Sequence, residues 1–137
     1  MLKGVKDGIN SAWDTLVEKA NFIKKGSNKM IDSWLDVLPR IASYGFEIKS
    51  FAMNYSINPS MEVELLGAYE DFSIERINEI MKENKNRPAV ISVFQALKTT
   101  ISLQKRLNET PKEEIIIEVR VSISPEIKVF LGVPLIE

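Results

Sequence analysis

The chain of 137 residues contains no cysteine and no histidine. It therefore cannot form disulfides or use a thiol nucleophile, and it lacks the usual ligands of structural zinc. A Ser-His or Cys-His catalytic pair is excluded for the same reason. Proton transfer would depend on carboxylates, lysines or tyrosines, and no glycine-rich phosphate loop or nucleophile motif accompanies them. We therefore expect no cofactor, no bound metal and no enzymatic activity.

The sequence also lacks an excess of charge of one sign and any long apolar run. Its 18 basic and 19 acidic residues give a net charge of −1. Since nucleic-acid binding needs concentrated positive charge, we expect no nucleic-acid partner. No apolar run is long enough to span a bilayer or to form the core of a signal peptide, which predicts a cytoplasmic protein. The length suits one domain with a buried core.

The clearest pattern lies between residues 114 and 135, where apolar and polar residues alternate. A period of two predicts strands with one buried and one wet face, here a pair joined at Pro125. Such a pair is not stable alone, so other elements must cover its apolar face. The predicted inward residues are Ile115, Ile117, Val119, Val121 and Ile123, followed by Ile127, Val129, Leu131, Val133 and Leu135.

The same pattern occurs earlier in the chain. Residues 55–65 align with residues 121–131, and the segment Ser56-Ile57-Asn58-Pro59 matches Ser122-Ile123-Ser124-Pro125. The alignment predicts two helix–strand–strand units, at about 28–67 and 88–135, joined by a short helix 73–83 and a polar linker. A duplication and two independent patterns that obey the same rule both explain the similarity. Because Pro fixes φ near −65°, we do not expect tight two-residue turns; the connections are either wider hairpin loops or bends at which each strand changes direction. The predicted inward residues of the first pair are Phe51, Met53, Tyr55 and Ile57.

Residues 1–26 form a separate predicted element, an amphipathic helix. Up to Lys29 there are six lysines and three acidic residues. One interpretation is that this helix covers its own domain or a second copy of the chain. The other is that it binds an anionic membrane surface or the groove of a protein partner. Its apolar stripe includes Leu2, Val5, Ile9, Trp13 and Leu16.

The remaining residues, 27–137, are predicted to form a single α+β domain. We expect a four-stranded, mostly antiparallel sheet with helices packed on at least one face. Ile116 and Phe130 occupy outward positions that should be polar, and neighbouring exposed apolar residues often mark an interface. Either the N-terminal helix covers them, or they contact a dimer mate or a partner. Four further residues are predicted to line an apolar pocket between sheet and helices, or else to be ordinary core: Met53, Tyr55, Met61 and Phe94.

These patterns favour a non-enzymatic interaction or assembly protein, peripheral to a membrane surface through its N-terminal helix. Its expected partner is another protein or a second copy of itself. The alternative is a binding protein for a hydrophobic small molecule or lipid held between sheet and helices. The absence of catalytic motifs and the amphipathic first helix favour the first interpretation.

Overall fold

The computed structural model describes residues 29–107 and 113–132. The predicted helix over 1–26, with Leu2, Val5, Ile9, Trp13 and Leu16, lies outside these residues, and so do the predicted inward residues Val133 and Leu135. The described elements are α1 (Lys29–Ser43), β1 (Glu47–Asn54), β2 (Ser60–Ala68), a 3-10 turn (Tyr69–Asp71), α2 (Ile74–Glu83), α3 (Pro88–Arg106), β3 (Glu114–Val121) and β4 (Pro125–Leu131).

The four strands form one antiparallel sheet in chain order, β1-β2-β3-β4. The predicted α+β class and the two helix–strand–strand units are therefore confirmed. The last paired residues are Asn54 with Ser60 in the first hairpin and Val121 with Pro125 in the second. Residues 55–59 and 122–124 thus form wide loops, one of the two arrangements expected from the prolines. Because β2 and β3 are antiparallel neighbours, with Met61 opposite Val121, both loops lie at the same end of the sheet.

All three helices lie on one side of the sheet, which we call the inner face. Helix α1 packs on β2 and β3, whereas α3 contacts β4, α1 and α2. Alternate residues of the central strands are buried beneath them, and full burial of each contributes about 1.5–3 kcal/mol. No helix of the described part of the chain covers the opposite, outer face. The buried large apolar residues of these strands are Met61, Val63, Leu65, Ile115, Ile117, Val119 and Val121.

Helix boundaries follow local sequence signals. The Ser73 hydroxyl accepts a hydrogen bond from the Arg76 backbone N–H at 3.1 Å and caps α2. Pro88 opens α3, where its missing N–H leaves no intrahelical bond unmade. The short helix predicted over 73–83 is observed from Ile74 to Glu83, with Ser73 as its N-cap.

An aromatic cluster fills the space beside β2. The rings of Phe46 and Phe72 stack with centroids 4.7 Å apart, and the Phe94 ring lies 6.3 Å from that of Phe72. A Cβ placed on Gly67 would lie 2.7 Å from two ring atoms of Phe46. Glycine at this position therefore allows the ring to lie against the β2 backbone.

Three inward predictions were wrong. Tyr55, Ile57 and Ile123 are 58%, 98% and 85% exposed. The alternation was continued past the last paired residue of each strand, into loops where the chain reverses. Since side-chain parity holds only along an extended strand, it does not fix the direction of a loop residue. The two isoleucines instead project from the hairpin loops.

Candidate functional site

The outer face of the sheet carries a row of three apolar side chains. Leu66 lies opposite Ile116 on β3, and Ile116 lies opposite Phe130 on β4. All three are half-buried, although no described helix packs on them. We call them the apolar row. Of the seven residues predicted for an interaction surface, the structure describes Ile116 and Phe130; it brings these two together and adds Leu66 to them.

Next to the apolar row lies a groove of about 430 Å³ across all four strands. Ser50 and Ala52 line it on β1, and most of the lining residues of the other strands are charged. Four carboxylates face two basic groups, which gives the groove a formal charge of −2. We call it the acidic groove and define it by Glu62, Glu64, Glu118, Arg120, Glu126 and Lys128.

Charges in the acidic groove are only partly balanced across the strands. Arg120 lies between Glu62 and Glu126, in the favourable arrangement of opposite charges. Glu64, however, is directly opposite Glu118, and like charges in that position are destabilising. Among the described residues, a salt bridge joins Lys49 Nζ to Glu47 Oε1 at 3.6 Å, and both residues lie outside the groove. The carboxylates of the groove are therefore available to pair with basic side chains of a partner.

Lys128 links the groove to the apolar row. Its Nζ lies 5.9 Å from the centroid of the Phe130 ring, a cation–π contact of about 0.5–1 kcal/mol at an exposed site. The surface thus joins apolar area with acceptors for positive charge. A basic amphipathic segment presents the complementary pattern.

The four residues of the predicted apolar pocket are distributed differently. Met53 and Met61 are opposite one another on β1 and β2, whereas Tyr55 is in the first hairpin loop. Met61 and Phe94 have no exposed surface, and the Phe94 ring contacts that of Tyr44 at 5.7 Å. A ligand could reach these two side chains only if the core opened. The hydrophobic-ligand alternative therefore stays a prediction, without support from these side chains.

A buried polar cluster joins α1 to the residues after α2. Asn84, fully buried, accepts a hydrogen bond from Arg40 Nε at 2.6 Å. Its amide group donates to the Tyr44 hydroxyl at 2.9 Å and to the Ile80 carbonyl at 2.6 Å. Because each of these contacts is made within the fold, the cluster is a structural tie between helices. It has no group directed at a ligand.

The hairpin loops form a second exposed apolar feature, which the sequence pattern did not predict. Ile57 and Ile123 occupy equivalent places in the two Ser-Ile-x-Pro segments, and Tyr55 stands beside the first. We call Ile57 and Ile123 the tip pair. The repeated Ser and Pro were the signal that could have placed these isoleucines in turns.

The described residues contain neither a candidate metal site nor a candidate membrane-spanning helix. Within residues 29–107 and 113–132, no group of three or more acidic side chains is arranged to hold a metal ion. No helix in the same ranges combines the length and apolar character needed to cross a bilayer. Comparison with known proteins found no matching family model, no similar curated protein and no similar solved structure.

Proposed function

We propose that this chain is a non-enzymatic interaction protein that assembles through the outer face of its sheet. The observation that carries the proposal is the apolar row of Leu66, Ile116 and Phe130 beside the acidic groove, on a face that no described helix covers. Partly exposed apolar area next to a groove of net negative charge is typical of a surface that binds another protein segment.

The occupant that fits this face is the chain's own segment 1–26. It has five lysines and three acidic residues, a charge of +2 that complements the −2 of the acidic groove. Its predicted stripe, with Trp13 and Leu16 near the middle, offers apolar area to the apolar row. An amphipathic helix laid on a groove is a common recognition mode, in which the apolar stripe supplies affinity and charge supplies orientation.

Reach favours docking between two copies over docking within one chain. Residues 27 and 28 separate the predicted helix from α1, so the three Cα–Cα steps from residue 26 to residue 29 span at most about 10 Å. Helix α1 packs on the inner face, whereas the segment would lie on the outer face. Layers pack about 10 Å apart, so the two helix axes would be separated by about 20 Å. Reciprocal exchange of the segments between two copies gives a symmetric dimer.

The experiment is light scattering after size-exclusion chromatography of the full-length protein and of Phe130→Glu. We expect a dimer for the wild type, and dimer affinity at least about 30-fold weaker for the variant, the loss typical of a central interface residue. Leu103→Glu is the matched control. Leu103 lies on α3 and is 48% exposed, so the same change there should leave the dimer intact.

Charge reversal tests the identity of the occupant. Glu64→Lys/Glu118→Lys should weaken self-association, and so should Lys19→Glu/Lys24→Glu/Lys25→Glu. A mixture of the two variants should form a heterodimer. In it, the unchanged segment of the first variant meets the unchanged groove of the second, and the two charge-reversed surfaces meet each other. A wild-type protein that stays monomeric at high micromolar concentration would contradict the proposal.

Contact of segment 1–26 with an anionic membrane is the competing result. It predicts that the monomeric wild type sediments with vesicles containing phosphatidylserine, and that Phe130→Glu sediments equally well. In that case the segment binds lipid, and the outer face has another partner or none.

A further inference from the structure

A second contact surface lies at the end of the sheet that carries both hairpin loops. From the exposure and placement of the tip pair, we propose that this end inserts into the interface of a neutral lipid bilayer. Ile57 is 98% exposed and Ile123 is 85% exposed, the two highest values among the exposed large apolar residues of the described chain. The tips are two strand spacings apart, about 10 Å, and project from the same end.

The requirements of the fold do not explain these isoleucines. Ser56 donates a hydrogen bond from its hydroxyl to the Asn58 carbonyl at 2.9 Å, and Pro59 and Pro125 set the direction of the returning strands. These Ser and Pro residues supply the turn chemistry. An isoleucine between them contributes almost nothing to packing, because it touches little of the protein. Both loops nevertheless carry an apolar residue at this exposed position.

Area distinguishes a bilayer from a protein socket. Two isoleucines and the side of Tyr55 offer roughly 300–400 Å² of apolar surface. A stable protein interface needs about 800 Å² on each partner, so the tips alone are too small for one. A fluid bilayer interface has no such threshold. It accepts separate protrusions without matching pockets, and each inserted side chain adds to the partition coefficient.

The residues around the tip pair fit a neutral headgroup region. No charged residue occurs between Asn54 and Ser60, or between Val121 and Pro125. Serine and asparagine can exchange hydrogen bonds with headgroups without the cost of burying a charge. Tyr55, 58% exposed, has the apolar ring and polar hydroxyl typical of side chains at the membrane–water boundary.

The contact is shallow and reversible. Burial of one isoleucine raises a partition coefficient about tenfold or more, and two raise it about 100-fold. Two isoleucines bury fewer carbon atoms than a single myristoyl chain, whose membrane binding is itself marginal and reversible. Stable attachment then needs a second contact.

The test uses the full-length protein with a fluorophore at one position. Because the chain has no cysteine, Asn58→Cys gives a single labelling site next to Ile57. We expect a nitrobenzoxadiazole label there to shift to shorter wavelength on titration with phosphatidylcholine vesicles at millimolar lipid. In the labelled chain, Ile57→Ser should weaken the response about tenfold, and Ile57→Ser/Ile123→Ser about 100-fold.

The matched control is Leu107→Ser, which removes an apolar side chain that is 72% exposed at the end of α3 and should leave the titration unchanged. A second label, at Ser124→Cys, should respond in parallel with the first. The proposal is overturned if neither label shifts, or if the double serine variant binds vesicles as well as the parent. Both results are independent of dimer formation through the outer face, so they leave that proposal standing.

Discussion

Gly67 provides a stability test of the packing on the inner face of the sheet. In Gly67→Ala, the new methyl group would lie 2.7 Å from Cδ1 and Cε1 of Phe46 and 3.3 Å from Cε2 of Phe72. The Phe46 ring cannot simply retreat, since it is stacked on Phe72 with the two planes inclined by 18°. Overpacking of this kind costs about 1–3 kcal/mol. The loss of glycine's freedom in the unfolded chain offsets about 0.4–1 kcal/mol of that cost.

We therefore expect Gly67→Ala to lower the free energy of unfolding by about 1–2 kcal/mol. The assay is urea denaturation followed by circular dichroism at one fixed protein concentration. For a domain of this size, the midpoint of thermal unfolding should fall by about 3–4 °C for each kcal/mol.

A double-mutant cycle attributes the loss to the ring. Phe46→Leu removes the ring edge and should cost about 1–2 kcal/mol through the cavity that it leaves. If the ring causes the clash, Gly67→Ala should cost much less in that background, with a coupling of at least about 1 kcal/mol. Additive losses, or a Gly67→Ala variant within about 0.5 kcal/mol of the wild type, would refute the reasoning.

Two further predictions concern polar groups. Asn84→Ala removes one hydrogen-bond acceptor and two donors from a cluster around a buried side chain, so the free energy of unfolding should fall by about 2–3 kcal/mol. The control is Asn78→Ala, at an exposed position of α2, which should change the free energy of unfolding by less than about 0.5 kcal/mol in the same urea titration. Glu64→Lys replaces a like-charge pair across β2 and β3 by an opposite-charge pair, so it should stabilise the domain by about 0.2–1 kcal/mol. The same substitution should weaken the dimer in light scattering, and a variant that is both more stable and equally dimeric would contradict the role of the acidic groove.

The sequence predicted the strands and helices well because their signals are local. Each strand is buried on one face only, so apolar residues alternate along it. Ser73 and Pro88 mark the starts of α2 and α3 through hydrogen bonding and a fixed φ, which need no knowledge of the rest of the fold. The class and the two units followed from these elements.

Two features could not be predicted from the sequence: the register in which the strands pair, and the residue at which the pairing of each hairpin stops. Leu66 joins Ile116 and Phe130 only because β2 pairs with β3 in one particular register, and a single sequence does not contain the strand order. The inward prediction for Ile57 and Ile123 failed where the ladder stops. The predicted pocket grouped Tyr55 with Phe94 because the alternation was extended beyond Asn54, the last paired residue of β1.

The arrangement of the sheet gives the repeat a physical consequence. In an antiparallel sheet whose strands follow chain order, the first and third connections open at the same end. Two helix–strand–strand units with the same turn sequence therefore present the same side chain twice on one surface, about 10 Å apart. Two weak apolar contacts on one rigid body act together, since the second contact requires no further loss of translational freedom. The Ser and Pro of each turn serve the fold, whereas Ile57 and Ile123 contact little of it. Replacing the isoleucines should therefore affect vesicle binding and leave the free energy of unfolding unchanged to within about 0.5 kcal/mol.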